Sequence, residues 1–164
     1  MKNEACAACN NTRAGAVIMA NRLFSGGNIK LGARVGYYTE EILRNARRVN
    51  ELKARIDETV KFRDKNEHKR KEWQNACYDF HKEYNSLAFP GGYEGALERL
   101  LDGDPKTMEA AICFLEARPY FFRSGYMFKD LLRKAKKAPL SEDQRKRFNE
   151  VYDAYIKYRE SRND

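Results

Sequence analysis

The chain has 164 residues, of which 42% are hydrophobic and 34% charged, and its formal net charge is +8. The 10 tyrosines and 9 phenylalanines supply bulky core material, which excludes a chain that is disordered throughout. The 4 cysteines are too few for a disulfide scaffold, and the first apolar run, residues 14–20, is too short to span a bilayer. We expect a cytoplasmic protein with reduced thiols and no membrane partner.

The N-terminal part, residues 1–36, is predicted to hold a short helix and a glycine-rich connector. Within it, Cys6 and Cys9 have the C-x-x-C spacing that brings two thiolates to one metal ion. Cys77 and His81 lie four residues apart and share one face of a predicted helix. The four side chains together would supply a Cys3His set for structural zinc. A single C-x-x-C is a weak signal, so the alternative is a buried thiol at Cys77 and no metal.

Residues 37–88 contain no glycine or proline from Thr39 to Leu87, and apolar residues follow a seven-residue repeat through this charged stretch. The pattern predicts a long helix or an antiparallel helical hairpin, with Thr39 as its N-cap. Its narrow apolar seam needs a partner helix, and it also offers a route to a homodimer. The residues of the seam are Ile42, Val49, Leu52, Ile56, Trp73, Cys77, Phe80, Tyr84 and Leu87.

The middle of this stretch, residues 61–72, leaves both alternatives open. A hairpin would bury the two apolar ends against each other, whereas polar side chains (Arg63, Asn66 and Arg70) occupy the seam here. The heptad phase nevertheless continues across the gap, and Asn66 is the strongest turn residue present. We therefore favour a continuous helix, which would be about 75 Å long.

Residues 89–164 are predicted to form a compact helical bundle, since Phe89-Pro-Gly-Gly marks a clear boundary. Four helices are expected here, over 93–101, 105–118, 128–137 and 142–159. Asp104 before Pro105 is typical of a capped helix start, and Ser141 with Gln144 forms a capping box. The fold class is therefore all-α, in three parts: 1–36, 37–88 and 89–164.

The segment from Pro119 to Phe128 is rich in aromatic residues around an arginine and a glycine. Aromatic and arginine side chains dominate binding hot spots, so the segment is a candidate protein-binding surface. Its proposed contact residues are Tyr120, Phe121, Arg123 and Tyr126. The alternative is that most of these aromatics belong to the core, with Arg123 or Tyr126 exposed.

Basic residues are concentrated in the N-terminal half, where residues 1–90 hold 17 basic and 11 acidic side chains. Such charges form a nucleic-acid footprint when they share one face. The candidates are Arg44, Arg47, Arg48, Lys69, Arg70 and Lys71. Acidic residues are interspersed around residues 61–72, which favours a solvated face as the alternative.

Catalytic signals are few, because His68 and His81 are the only histidines and neither belongs to a recognised motif. We expect a non-enzymatic protein-binding module, such as an inhibitor, immunity or adaptor protein. The main alternative is a basic nucleic-acid-binding accessory protein. An enzyme with a site lined by Tyr120, Arg123 and Tyr126 is a third, weaker hypothesis.

Overall fold

The computed structural model describes residues 36–162, and the regular structure in that range is helical throughout, as the sequence predicts. The predicted N-terminal helix, the glycine-rich connector, Cys6 and Cys9 lie outside the described residues. The helices within the described range are α1 (Tyr37–Val60), α2 (Glu67–Ala88), α3 (Ala96–Leu101), α4 (Pro105–Ala117), α5 (Ser124–Ala135) and α6 (Glu142–Glu160). Each of these helices is too short or too polar to cross a lipid bilayer.

The chain divides into two compact units. Among the described residues, the hairpin unit contains Glu51–His81, and the bundle unit contains Gly36–Asn50 and the residues from Lys82 onward. Helices α1 and α2 therefore contribute one end to each unit. The division at residues 36 and 88 that the sequence suggests remains a prediction.

In the hairpin unit the chain turns between Val60 and Glu67, so the preference for one continuous helix is wrong. The reason lies in Asn66, whose side-chain Oδ1 accepts a hydrogen bond from the Lys69 backbone N–H at 2.9 Å. A side chain that satisfies an N–H of the first turn is an N-cap, so α2 starts afresh at this point. Asn66 is therefore a stronger boundary signal than the heptad phase suggested.

The hairpin also gives the apolar seam its partner inside one chain. Leu52 and Ile56 of α1 and Phe80 of α2 are at most 3% exposed. Arg55 donates to the Asp79 carboxylate at 2.7 Å across the two helices, which run antiparallel. These side chains of the seam are therefore already covered in the described part of the hairpin unit, and a homodimer remains a prediction.

The bundle unit is built around α4, which packs against α3, α5 and α6, while α3 also packs against α5. Its start matches the sequence prediction: Asp104 accepts from the Thr107 N–H at 2.7 Å, and Pro105 occupies the first turn. The capping box of Ser141 and Gln144 is likewise present. The fully buried side chains at its centre include Phe89, Leu100, Ile112, Phe114 and Leu131.

Three helix starts in the bundle unit differ from those predicted. Helix α1 begins at Tyr37, because the Gly36 carbonyl accepts from the Thr39 N–H at 2.9 Å, so Thr39 is not the cap. Helix α3 begins at Ala96 rather than at residue 93. Helix α5 begins at Ser124, four residues before the predicted start, since a left-handed residue at Arg123 turns the chain directly into the helix.

Candidate protein-binding surface

Three exposed side chains stand out in the segment from Pro119 to Phe128. Tyr120 is 53% exposed and Tyr126 is 70% exposed, and Arg123 between them is also exposed. We call Tyr120, Arg123 and Tyr126 the aromatic–arginine surface. They are three of the four partner-binding residues that the sequence predicted.

The fourth predicted residue, Phe121, does not lie on this surface. It is 5% exposed, and its ring meets that of Phe114 edge to face, with centroids 6.2 Å apart. Met127 and Phe128 are also buried. The segment therefore alternates between core and surface, which combines the two interpretations that the sequence left open.

The backbone of the segment is fixed by side chains from other elements of the bundle unit. The Asn50 amide donates to the Tyr120 carbonyl at 2.8 Å. The Tyr84 hydroxyl donates to the Phe122 carbonyl at 2.9 Å, and the two rings meet edge to face. Helices α1 and α2, which are distant from this loop in the sequence, thus hold its backbone at Tyr120 and Phe122. The exposed side chains of the loop are therefore attached to a backbone that is fixed by hydrogen bonds.

The N-terminus of α5 adds a local constraint at the same place. Arg123 is its N-cap residue, in the left-handed conformation with φ of 68°. The Ser124 hydroxyl accepts from the Phe121 N–H at 3.1 Å, and the Ser124 N–H donates back to the Phe121 carbonyl at 3.0 Å. This reciprocal pair closes a tight turn and sets the direction in which Arg123 leaves the backbone.

Two phenols of the bundle unit, those of Tyr84 and Tyr93, have raised pKa values and are neutral at pH 7. Burial raises the pKa of Tyr84, and the charge of Arg123 opposes that rise. Burial, together with the charge and hydrogen bond of Asp130, raises the pKa of Tyr93 to about 12. Asp130 also accepts from Arg133 at 2.7 Å. Its carboxylate is thus engaged by partners other than Arg123.

Helix α1 flanks the aromatic–arginine surface on the side of Asn50. Leu43, which is 39% exposed, lies seven residues before Asn50, and Arg47 lies three residues before it, so all three share one helical face. Sequence reasoning missed the positioning roles of Asn50 and Tyr84. Asn50 lies 70 residues from Tyr120 in the chain, so no local pattern could have revealed the contact.

The three predicted arginines of α1 differ in their surroundings. Arg48 makes a bidentate contact with Glu83, with Nη2–Oε1 at 2.9 Å and Nε–Oε2 at 3.2 Å. Arg44 and Arg47 are exposed, and neither has an ion-pair partner within residues 36–162. The structure therefore leaves two of these three cations available to an anionic partner.

The basic residues at the hairpin turn are largely neutralised by neighbouring carboxylates. Lys69 pairs with Glu72 at 2.8 Å, and Arg70 lies 3.9 Å from Asp64. Lys71 is exposed. The interspersed acids thus reduce the positive field of this cluster, as the sequence suggested.

The predicted zinc ligands are only partly within the described range. Cys77 is buried and His81 is exposed, one turn apart on α2. Residues 36–162 contain no group of three or more histidine, cysteine, aspartate or glutamate side chains able to hold a metal ion. A Cys3His site would therefore depend on Cys6 and Cys9, and it remains a prediction.

A polar cluster that the sequence did not predict joins α4 and α6, and we call it the α4–α6 cluster. Arg147 binds Glu116 through two hydrogen bonds of 2.8 and 2.7 Å and binds Glu109 at 2.8 Å. Both carboxylates raise the pKa of the guanidinium further, against the effect of burial. The adjacent Cys113 is buried, and burial raises the pKa of its thiol. A neutral, enclosed thiol is a poor nucleophile, so the cluster is structural.

Known proteins offer no further guide to this surface. No protein-family model, curated protein or solved structure matches the chain. The aromatic–arginine surface itself therefore provides the geometry and chemistry from which a function can be proposed.

Proposed function

We propose that this protein is a non-enzymatic protein-binding module of the inhibitor, immunity or adaptor kind, acting in the cytoplasm. The observation that carries the proposal is the pair of exposed tyrosines on either side of Arg123 on a fixed backbone. Tyrosine and arginine are enriched among the residues that contribute most to protein–protein binding. Both can pack apolar surface and form hydrogen bonds in one contact.

The rigidity of the loop supports this proposal. A binding surface that is already ordered loses less conformational entropy on association than a mobile one. Asn50 and Tyr84 hold the Tyr120 and Phe122 carbonyls, and Ser124 closes the turn beside them. The free energy of ordering the loop is therefore met by the fold itself rather than by the partner.

The experiment that tests the proposal is affinity capture from a lysate of the native host, followed by identification of the bound protein. The wild type would be compared with a Tyr120→Ala/Tyr126→Ala variant at high salt and after nuclease treatment. Loss of two hot-spot side chains is expected to weaken capture of a specific partner by tenfold or more, about 1.4 kcal/mol.

The matched control is Tyr78→Ala, because Tyr78 is a similarly exposed tyrosine (66%) on α2, in the hairpin unit. Its replacement should leave capture unchanged. The proposal is wrong if the double variant retains the partner fully, or if Tyr78→Ala weakens capture by the same factor.

The alternative proposal, a nucleic-acid-binding accessory protein, has one specific observation in its favour. Arg44 and Arg47 are exposed on one face of α1 without an ion-pair partner among the described residues. Phosphate contacts release counterions, so binding of this kind would fall steeply as salt rises. Capture that disappears at high salt and after nuclease treatment would favour this alternative.

A further inference from the structure

Arg47 and Arg123 are two exposed arginines that have no carboxylate partner within residues 36–162. Arg47 lies one helical turn from Asn50, whose amide holds the Tyr120 carbonyl at 2.8 Å. Arg123 lies three residues beyond Tyr120, and its guanidinium contacts the ring of the adjacent Phe122, 5.8 Å from the centroid. Both side chains are exposed.

Most other arginines of the bundle unit have a defined intramolecular role. Arg48, Arg133 and Arg147 bind carboxylates. Arg99 and Arg145 donate to backbone carbonyls. The shortest of these bonds are 2.8 Å from Arg99 to the Gly92 carbonyl and 2.6 Å from Arg145 to the Ala138 carbonyl. The fold therefore supplies hydrogen-bonding partners for these guanidinium groups, whereas Arg47 and Arg123 have no carboxylate partner among the described residues.

We infer that the protein partner presents an acidic segment to this surface, with one carboxylate at Arg47 and another at Arg123. The inference rests on the proposed protein-binding function and names the chemistry of the partner. A guanidinium group matches a carboxylate through two parallel hydrogen bonds, and such pairs fix register as well as adding affinity. Apolar or aromatic side chains of the segment would pack on Tyr120, Tyr126 and Leu43.

Discrete carboxylates fit this surface better than a continuous phosphate backbone does. Nucleic-acid footprints use many cations along one track. Here, however, Glu83 lies beside Arg48 at 2.9 Å, and Asp130 lies one turn after Tyr126 on α5. Because Arg48 and Arg133 are already paired with these carboxylates, few cations remain for the phosphates of a polyanion, whereas a peptide can place its charges at the two arginines only.

The probe for the test is a fluorescently labelled random copolymer of glutamate and tyrosine, measured by anisotropy at low salt. The variants are Arg47→Glu and Arg123→Glu. Lys146→Glu is the charge-matched control, because Lys146 is exposed on α6 and has no ion pair within the described range. Each arginine reversal should weaken binding about tenfold or more, and the control by less than about twofold.

Two results would overturn the inference. Equal weakening by all three reversals would show that the copolymer senses only net charge. Tighter binding of a thymidine 20-mer than of the copolymer, with the same dependence on Arg47 and Arg123, would assign the surface to nucleic acid. Circular dichroism of each variant ensures that a loss of binding is not a loss of fold.

Capture of the natural partner separates this inference from the proposed function. If Tyr120→Ala/Tyr126→Ala loses the partner while Arg47→Glu and Arg123→Glu retain it, the protein-binding function stands and the acidic segment is wrong. If all of these variants retain the partner, the proposed function is wrong as well.

Discussion

Two arginines among residues 36–162 adopt a left-handed backbone conformation, one at the end of α4 and the other at the start of α5. Arg118, with φ of 44°, ends α4, and its guanidinium lies 5.0 Å from the Phe128 ring centroid and 5.8 Å from that of Tyr158. Arg123, with φ of 68°, is exposed. The turn into α5 needs a left-handed residue at this position but does not need an arginine. Strained residues cluster at functional sites, so this outlier supports a binding role for Arg123.

Gly95 adopts the same backbone conformation at the start of α3 as Arg123 does at the start of α5. Gly95 caps α3 with φ of 70° and ψ of 1°, and Arg123 caps α5 with φ of 68° and ψ of 0°. The same fold thus uses glycine at one helix start and arginine at the other. Left-handed geometry costs a non-glycine residue about 1–2 kcal/mol, which glycine would avoid.

We therefore predict that Arg123→Gly and Arg123→Ala will differ in stability but not in binding. Both variants lack the guanidinium and should lose the partner equally. The glycine variant should be more stable than the alanine variant by about 1 kcal/mol, because alanine retains the backbone strain. Urea unfolding measures the difference, and an alanine variant as stable as the glycine variant would contradict the assignment of strain at this position.

At the scale of elements, the Asn66 cap marks the point at which the second helix of the hairpin begins. The seam favoured one helix through residues 61–72, yet the chain ends α1 at Val60 and starts α2 after Asn66. The turn lets the chain pair its own apolar residues, such as Ile56 and Phe80, which are 0% and 2% exposed. Burial of that surface outweighs the loss of a few helical hydrogen bonds at the turn.

Replacing Asn66 with alanine tests the hairpin, because the free energy of unfolding should change in opposite directions for a capped hairpin and for a continuous helix. An N-cap that is lost lowers the free energy of unfolding by about 1 kcal/mol, whereas Asn66→Gly should lower it by only a few tenths. In a continuous helix, alanine would instead stabilise the protein, because it has the higher helix propensity. Urea unfolding of the two variants distinguishes these cases, and a more stable alanine variant would argue against the cap.

The α4–α6 cluster should make stability depend on acid pH. Burial raises the pKa of Glu109, but hydrogen bonds from Gln144 and Arg147 outweigh that effect and leave the pKa below its usual value. A carboxyl with a lowered folded pKa stabilises the protein above its unfolded pKa of about 4.3 and loses this contribution as pH falls through the folded value.

We predict that Glu109→Gln will be less stable than the wild type at pH 7, and that the gap will narrow as pH falls below about 4. A protonated glutamate resembles glutamine and can no longer form an ion pair with Arg147. Urea unfolding of both proteins across this pH range measures the gap, with Glu150→Gln as a control at an exposed site on the same helix as Arg147. A gap that stays constant with pH would assign Glu109 a packing role instead.

For the whole molecule, local signals predict the helical fold, but they predict only in part which side chains of the aromatic segment are exposed. The caps at Asp104 and Ser141 follow from the sequence because capping depends on residues three apart. Composition alone indicates Tyr120, Arg123 and Tyr126, which are exposed. Burial of Phe121 and the bond from Asn50 arise from tertiary packing across the chain, which no local pattern encodes.

The net charge of the whole chain is +8. Reversing part of this charge distinguishes the protein-binding proposal from the nucleic-acid-binding alternative. Reversing Lys69, Arg70 and Lys71 to glutamate changes the charge by 6 and leaves the chain at +2. Any general affinity for DNA should fall sharply, since it depends on the number of cations. Capture of a protein partner should be unchanged, because none of the three belongs to the aromatic–arginine surface. Helicity measured by circular dichroism controls for folding, since the variant also loses the Lys69–Glu72 pair. Loss of the protein partner together with DNA affinity would show that the basic turn, rather than Tyr120 and its neighbours, makes the functional contact.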